Sequence, residues 1–368
     1  MKVLITGVAG YIGSHAAHAL LTGGTGTVLG LDSLERGHAG AVRVLEELGG
    51  TRFRFVRMDL REAPALTELL QRERPDAVLH FAAWTLVGES VERPAAYWSA
   101  NAGGTAALLE AVRAAGVRRF VLSSTAATYG VPARTPIQED DPQAPISPYG
   151  ASKLACEAMV RAEVEAARAA GRPFAAAMLR YFNVAGASAD GLLGEDHRPE
   201  THLIPAALQA IRGDRPPLVL FGDDYPTPDG TCVRDFVEVE DLVQAHLRAL
   251  AALRPGECRA YNVGLGEGFS VRQVLDACAR AAGAPVPVEP GARRAGDPPV
   301  LVADARRIVA ELGWSPRVRD PAQMAARMWR WMQSHPRGYE DAVTDRSSVP
   351  ARGWGCRGRD CARRCPRC

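Results

Sequence analysis

Lysine is almost missing from this 368-residue chain: only Lys2 and Lys153 stand among 44 basic residues. Arginine has taken nearly every place where a positive charge suffices, so a retained lysine points to a place that needs a compact ammonium. Long apolar runs are missing too. None approaches the ~20 residues that cross a bilayer, so no membrane partner is expected. The opening MKVLITGVAGYIG enters a strand and a glycine loop directly, without the apolar stretch of a secretory leader. A cytoplasmic protein is the expectation. Nor does the body carry charge of one sign. Residues 346–368 hold seven Arg and one Asp, which leaves the rest of the chain at −4 within a total of +2. A slightly acidic body gives no reason to expect nucleic acid.

Cysteine is scarce where a disulfide framework would need it. Cys156, Cys232, Cys258 and Cys278 are scattered, as reduced thiols usually are. Cys356, Cys361, Cys365 and Cys368 crowd the last 13 residues. Structural zinc sites pair two short knuckles across a longer loop, and only Cys365 and Cys368 resemble one. No metal is expected, and the Arg- and Cys-rich tail, 342–368, reads as disordered with no packed role.

The length exceeds one comfortable core, so two domains are expected. Residues 1–183 alternate apolar strands with amphipathic helices, which predicts an α/β fold with a doubly wound parallel sheet of Rossmann type. The expected strands are 2–6, 27–32, 52–59, 76–83, 118–125 and 175–183, and a long helix is expected from about Pro148 to Ala170. Proline and glycine then become dense. Residues 184–341 read as a smaller, mainly substrate-binding domain, with some segments returning to the sheet.

Gly7-Val8-Ala9-Gly10-Tyr11-Ile12-Gly13 is a G-x-x-G-x-x-G loop between the first strand and a helix. Glycines let the backbone approach a pyrophosphate, and the helix N-terminus supplies N–H donors. Asp32 ends the second strand, 19 residues past Gly13. A carboxylate there accepts from ribose hydroxyls and repels a 2′-phosphate, so the expected cofactor is NAD rather than NADP. Asp59, at the end of the third strand, is a candidate for the adenine.

Residues 147–153 read SPYGASK, which sets Tyr149 and Lys153 on one helix face. An ammonium and a cationic nicotinamide ring would together depress the Tyr149 pKa, so that a phenol could act as a base near neutrality. The fifth expected strand ends in SSTAATYG, which brings Thr125 to the same region.

The glycine loop, SSTAATYG, SPYGASK and RYFNVAG together resemble the extended short-chain dehydrogenase/reductases, and within them the UDP-glucose 4-epimerase family. The likeness runs from Met1 to about Asp341. It implies a reversible UDP-galactose/UDP-glucose 4-epimerase with tightly bound NAD, working as a homodimer. It implies Thr125, Tyr149 and Lys153 as the catalytic set. The glycine-loop residues, Asp32, Asp59, Leu60, Phe81, Ala82 and Asn101 would join Tyr149 and Lys153 on the cofactor. Thr125, Asn183, Arg234, Arg294, Asp297 and Leu301 would meet the UDP-sugar, with the two arginines on the diphosphate, Asp297 on the uridine ribose and Leu301 beside the sugar 2-position. Two residues depart from the family pattern: Thr85 stands in a frequent lysine slot and Gly103 in a frequent asparagine slot.

Related dehydratases place Asp-Glu directly after the Thr, to remove a C5 proton and protonate the departing hydroxyl. Here those residues are Ala126 and Ala127, which transfer no protons. An epimerase of a UDP-N-acetylhexosamine, UDP-pentose or UDP-uronate would use the same machinery. A non-catalytic NAD-binding sensor is the reading from a different class, and the complete Thr125/Tyr149/Lys153 set argues against it.

Overall fold

The computed structural model describes residues 1–24, 26–294 and 297–339; the tail read from sequence as disordered lies outside them. Seven strands form one sheet, in the spatial order Cys258–Val263, Ala175–Tyr181, Arg119–Thr125, Ala77–His80, Lys2–Thr6, Thr27–Asp32 and Phe53–Arg57. Every pairing is parallel. The chain order reverses between Lys2–Thr6 and Ala77–His80. In doubly wound sheets that switch point opens a crevice at the carboxyl ends of the strands, where ligands bind.

Buried Val, Leu, Ile and Ala pack on both faces of this sheet. One core holds Val3, Ile5, Val121, Leu179 and the helix Val239–Ala252. The other holds Leu4, Val78, Leu122 and Met178, with Val160 and Val164 of the helix Pro148–Ala169. Alternate residues of one strand thus serve opposite cores, which is why these strands read as continuous apolar runs.

The first six strands lie where the sequence puts them, with four of them shortened to Phe53–Arg57, Ala77–His80, Arg119–Thr125 and Ala175–Tyr181. The run 76–83 forms a strand only at Ala77–His80. Phe81 still donates its N–H to Thr6 O at 3.0 Å before the chain leaves the sheet. The seventh strand was not distinguished in the sequence. It is an edge strand with an exposed Arg259, so it lacks the unbroken apolar run that marks the others.

One buried ion pair crosses the layers. Arg180, on the sixth strand, is 1% exposed. It donates from Nε and Nη2 to the two oxygens of Glu157 at 2.9 and 2.7 Å. Glu157 lies on the helix Pro148–Ala169, two turns and more beyond Tyr149. Its carboxylate also accepts from Ser124 Oγ at 2.6 Å, on the fifth strand. Arg180 Nη1 reaches Tyr129 Oη at 2.7 Å and Glu139 O at 2.9 Å. Burial pushes the Glu157 pKa up, but the Arg180 hydrogen bonds and charge, with Ser124, hold it below the ordinary value. A depressed carboxylate pKa stabilises the fold above the unfolded value and is lost as pH falls through the folded one. Arg180→Met would leave Glu157 buried without its partner. It should lower unfolding free energy in urea by about 3–5 kcal/mol, and a loss below about 1 kcal/mol would show that the pair is not a tie between strand and helix.

Candidate active site

The glycine loop turns under the carboxyl ends of the first and fourth strands. Gly7 has φ +73°, and a Cβ there would sit 2.6 Å from Ala82 N. A Cβ on Gly13 would sit 2.0 Å from Gly7 O. Both glycines are required by the chain's own packing, while Gly10 meets only Gly7 O, at 3.4 Å. Gly10 also caps the helix Tyr11–Thr22, which has no side-chain cap and no acidic residue in its first turn. The dipole end and its N–H groups are therefore left to an anion from elsewhere, which is what a dinucleotide pyrophosphate supplies. Ile12 packs against the core, and Tyr11 donates its hydroxyl to Gly186 O at 2.8 Å.

Asp32 ends the second strand and is buried. Its carboxylate accepts from Ala9 N at 3.0 Å and Leu34 N at 2.8 Å, so the loop and the strand end hold it in place. Burial pushes its pKa up, against those two bonds and His38. The donor set fits NAD: a loop that excludes a Cβ at Gly7 and Gly13, an uncapped helix end, and a carboxylate held in place at the end of the second strand. Asp59 is engaged differently. Its carboxylate is bound by the Arg61 guanidinium at 2.9 and 3.1 Å, which holds its pKa low. Leu60 is buried nearby in the second core.

Phe81 and Ala82 follow the fourth strand, and the Phe81 ring lies 4.9 Å from that of His246. Asn101 lies in a π-helical turn, Trp98–Gly103, which also contains Gly103. Its Oδ1 accepts from Trp84 N at 2.8 Å, and its Nδ2 donates to Trp84 O and Ser152 Oγ, both at 3.0 Å. Asn101 thus spends its amide tying the 81–84 segment to the catalytic helix, rather than presenting it to a ligand. Residue spacing carries no sign of this tie, because Trp84, Asn101 and Ser152 lie far apart in the chain.

Thr125 ends the fifth strand. Its hydroxyl accepts from Ala127 N at 3.1 Å and caps the single 3-10 turn Ala126–Thr128. The catalytic helix starts at Pro148 behind Ser147, whose side chain accepts from Gly150 N at 3.1 Å. A Cβ on Gly150 would lie 2.5 Å from Ala127 O. Gly150 therefore lets the helix that carries Tyr149 press onto the turn after Thr125. Lys153 lies one helical turn on and is 3% exposed.

Burial pushes the Tyr149 pKa up, Tyr181 adds to this, and Thr125 opposes it. The expected depression counts a cationic nicotinamide ring beside Lys153; among the protein's own groups, burial dominates. Burial also lowers the Lys153 pKa, with Cys156 and Glu157 opposing. Burial and then the Lys153 charge lower His80 to about 3. Burial lowers His246 to about 4, with Lys153 adding to it. Both imidazoles are therefore neutral near pH 7.

Arg234 and Leu301, two of the residues expected on the UDP-sugar, pair in a small sheet of Phe269–Ser270, Val233–Arg234 and Val300–Leu301. Arg234 and Asp297 form an ion pair with each other. Arg294 is exposed and places its guanidinium 4.0 Å over the Phe221 ring. Asn183 opens a short strand that pairs with Phe236–Glu238, and its Nδ2 donates to Asp235 O at 3.1 Å. Asp235 itself was missed in the sequence. It is fully buried and accepts from Leu265, Gly266 and Ala303 N–H groups at 2.7, 3.1 and 3.1 Å. It therefore knots the Arg234 strand to two other segments. The run CVRDF contains it, but only its long-range partners reveal the role.

A parallel switch-point sheet, a glycine cradle and a Tyr-x3-Lys helix define a dinucleotide-binding α/β protein. Residues 3–264 match the model of the NAD dependent epimerase/dehydratase family, and the chain belongs to that family. It is 45% identical over 343 residues to UDP-glucose 4-epimerase of Lacticaseibacillus casei, covering 93% of this chain and 99% of that protein. It is 47% identical over 342 residues to UDP-glucose 4-epimerase of Streptomyces lividans, covering 92% and 98%. It superimposes with a TM-score of 0.85 on the crystal structure of UDP-glucose-4-epimerase from Stenotrophomonas maltophila with bound NAD and formylated UDP-arabinopyranose. That pair is 39% identical, with 92% of this chain and 99% of that one covered. Among the described residues no helix is long and apolar enough to cross a membrane.

Gly150→Ala tests the close approach of the Tyr149 helix to the turn after Thr125. With the helix displaced from the Ala127 turn by about 1 Å, turnover should fall on the order of 10²-fold while the circular dichroism spectrum stays native. Unchanged turnover would mean that this approach does not set the site.

Proposed function

We propose that the chain interconverts UDP-galactose and UDP-glucose by inverting C4 through a 4-keto sugar, as a cytoplasmic homodimer that retains NAD. The observation that carries this reading is the close seat of the Tyr149–Lys153 helix on the turn after Thr125, where Gly150 faces Ala127 O, in a sheet whose switch point holds the glycine cradle. Bound in that cradle, NAD supplies reversible hydride exchange at the sugar C4. The rest is done by side chains of the chain.

Tyr149 takes the proton of the sugar 4-hydroxyl and returns it after the sugar has turned over. Thr125 donates to the 4-oxygen and fixes its place relative to the phenol. Lys153 sets its buried ammonium toward the phenol and the nicotinamide ribose. Because burial holds the Tyr149 pKa up, the phenolate forms only when further positive charge arrives beside it. That couples the base to the oxidised cofactor: the site is armed when it can accept hydride. Gly7, Gly10 and Gly13 receive the pyrophosphate and Asp32 the adenosine ribose.

Arg234 and Arg294 hold the UDP diphosphate and Asp297 the uridine ribose, while Asn183 and Leu301 border the sugar. The Arg234–Asp297 ion pair supports one shared role for these residues, since the pair can open onto a phosphate and a ribose together. Strong contacts on the diphosphate and few on the hexose suit a sugar that must rotate while its nucleotide stays fixed. Ala126 and Ala127 supply no proton for elimination, so the keto sugar is reduced again instead of dehydrated.

Purified protein should convert UDP-galactose to UDP-glucose without added NAD. Tyr149→Phe should keep the fold and the bound cofactor but lose roughly 10²–10⁴-fold in kcat, the usual contribution of a positioned base. Absence of conversion by the wild type, or near-normal turnover by the variant, would remove this reading.

A further inference from the structure

The segment Gly194-Glu195-Asp196-His197-Arg198-Pro199-Glu200-Thr201-His202 has no part in the chemistry above. It folds so that Glu195, His197, Glu200 and His202 bring one ligand-type atom each within 4.8 Å of one another. Glu195 and Glu200 are 2% and 7% exposed. The Oε2 atoms of both glutamates and Nδ1 of His197 are buried with no hydrogen-bond partner. His197 Nδ1 lies 3.3 Å from Glu195 Oε1 and 3.6 Å from Glu200 Oε2, close but aligned to donate to neither. His202 Nδ1 meets Glu195 Oε1 and lies 3.8 Å from Glu200 Oε1.

A buried polar atom left unpaired is destabilising, because the hydrogen bonds it made to water are not replaced. Three at one point call for one common partner. His197 and His202 pair with Glu195 and Glu200, but these pairs still leave the three buried atoms without an aligned hydrogen bond. We propose that these four side chains bind a divalent transition-metal ion, with zinc the best fit. Two carboxylates neutralise the charge of the ion, and two neutral imidazoles complete an N2O2 set. Imidazole suits zinc, copper, iron and nickel, whereas magnesium and calcium take oxygen ligands. Ligand bonds of about 2.0–2.2 Å require only a modest contraction of the four atoms from their present spread.

Four protein ligands leave no open position, so the site is structural. Its place explains its use. The His197 ring stands edge-on to Tyr11, with centroids 6.3 Å apart, and Tyr11 opens the helix behind the glycine cradle. His202 precedes the helix Leu203–Arg212. An ion there would pin 194–202 between the cofactor loop and that helix. The expectation of no metal weighed only cysteines as ligands and so passed over this cluster.

The test is elemental analysis of tag-free, full-length protein purified without chelator. Wild type, and a variant with Cys356, Cys361, Cys365 and Cys368 changed to Ser, should each carry about one equivalent of metal. Glu195→Gln and His197→Ala should carry less than about a tenth of that. Should those variants fail to fold, wild-type protein stripped by a chelator and titrated with cobalt(II) gives the same answer. Saturation at about one equivalent, with the absorption of a tetrahedral nitrogen–oxygen site, is the expected result. Absence of metal in both measurements, loss of the metal with the cysteines, or thiolate-to-cobalt absorption would overturn the proposal.

Discussion

The active site depends on how firmly the helix Pro148–Ala169 is held to the sheet, and the buried Arg180–Glu157 pair does much of that holding. Its hydrogen bonds reach the sixth strand, the fifth strand at Ser124, the turn at Tyr129 and the loop at Glu139. Apolar packing alone resists sliding only weakly, because one Leu–Val contact is much like another. A bidentate charge pair has one register. Removal of either partner strands the other in the core, so the helix has a single energetically acceptable seat. Tyr149 and Lys153 inherit their positions from that seat.

Small residues do the complementary work of closeness. Gly7 and Gly13 admit backbone against backbone beneath the cofactor position, and Gly150 admits the catalytic helix against the turn after Thr125. Asn101 ties Trp84 to Ser152 across the same crevice. The pocket therefore combines rigid walls with a base whose pKa is held high by burial. Such a base is quiet until charge arrives beside it. The same burial keeps water from competing for the proton.

Much of this was legible in the sequence because it is local. Apolar runs bounded by glycine mark the strands, and the glycine loop, Asp32 and the Tyr149–Lys153 spacing each lie within a short window. What could not be read depends on partners far apart in the chain. Arg180 with Glu157, and Asp235 with Leu265 and Ala303, look in sequence like ordinary surface charges. The edge strand Cys258–Val263 hides behind Arg259, which only its position at the rim of the sheet makes acceptable. The weight of burial on Tyr149 is likewise invisible in sequence, since it comes from the packing of elements far apart in the chain.

The central claim is that the hydrogen at C4 leaves and returns within one closed pocket while only the hydroxyl proton exchanges. Turnover of UDP-galactose in D2O, followed by NMR of the product, tests it directly. The account predicts UDP-glucose with no deuterium at C4, because the migrating hydrogen never meets solvent. Deuterium at C4 or C5 would contradict it, and would point instead to proton abstraction from carbon by a base that the residues around Thr125 do not supply.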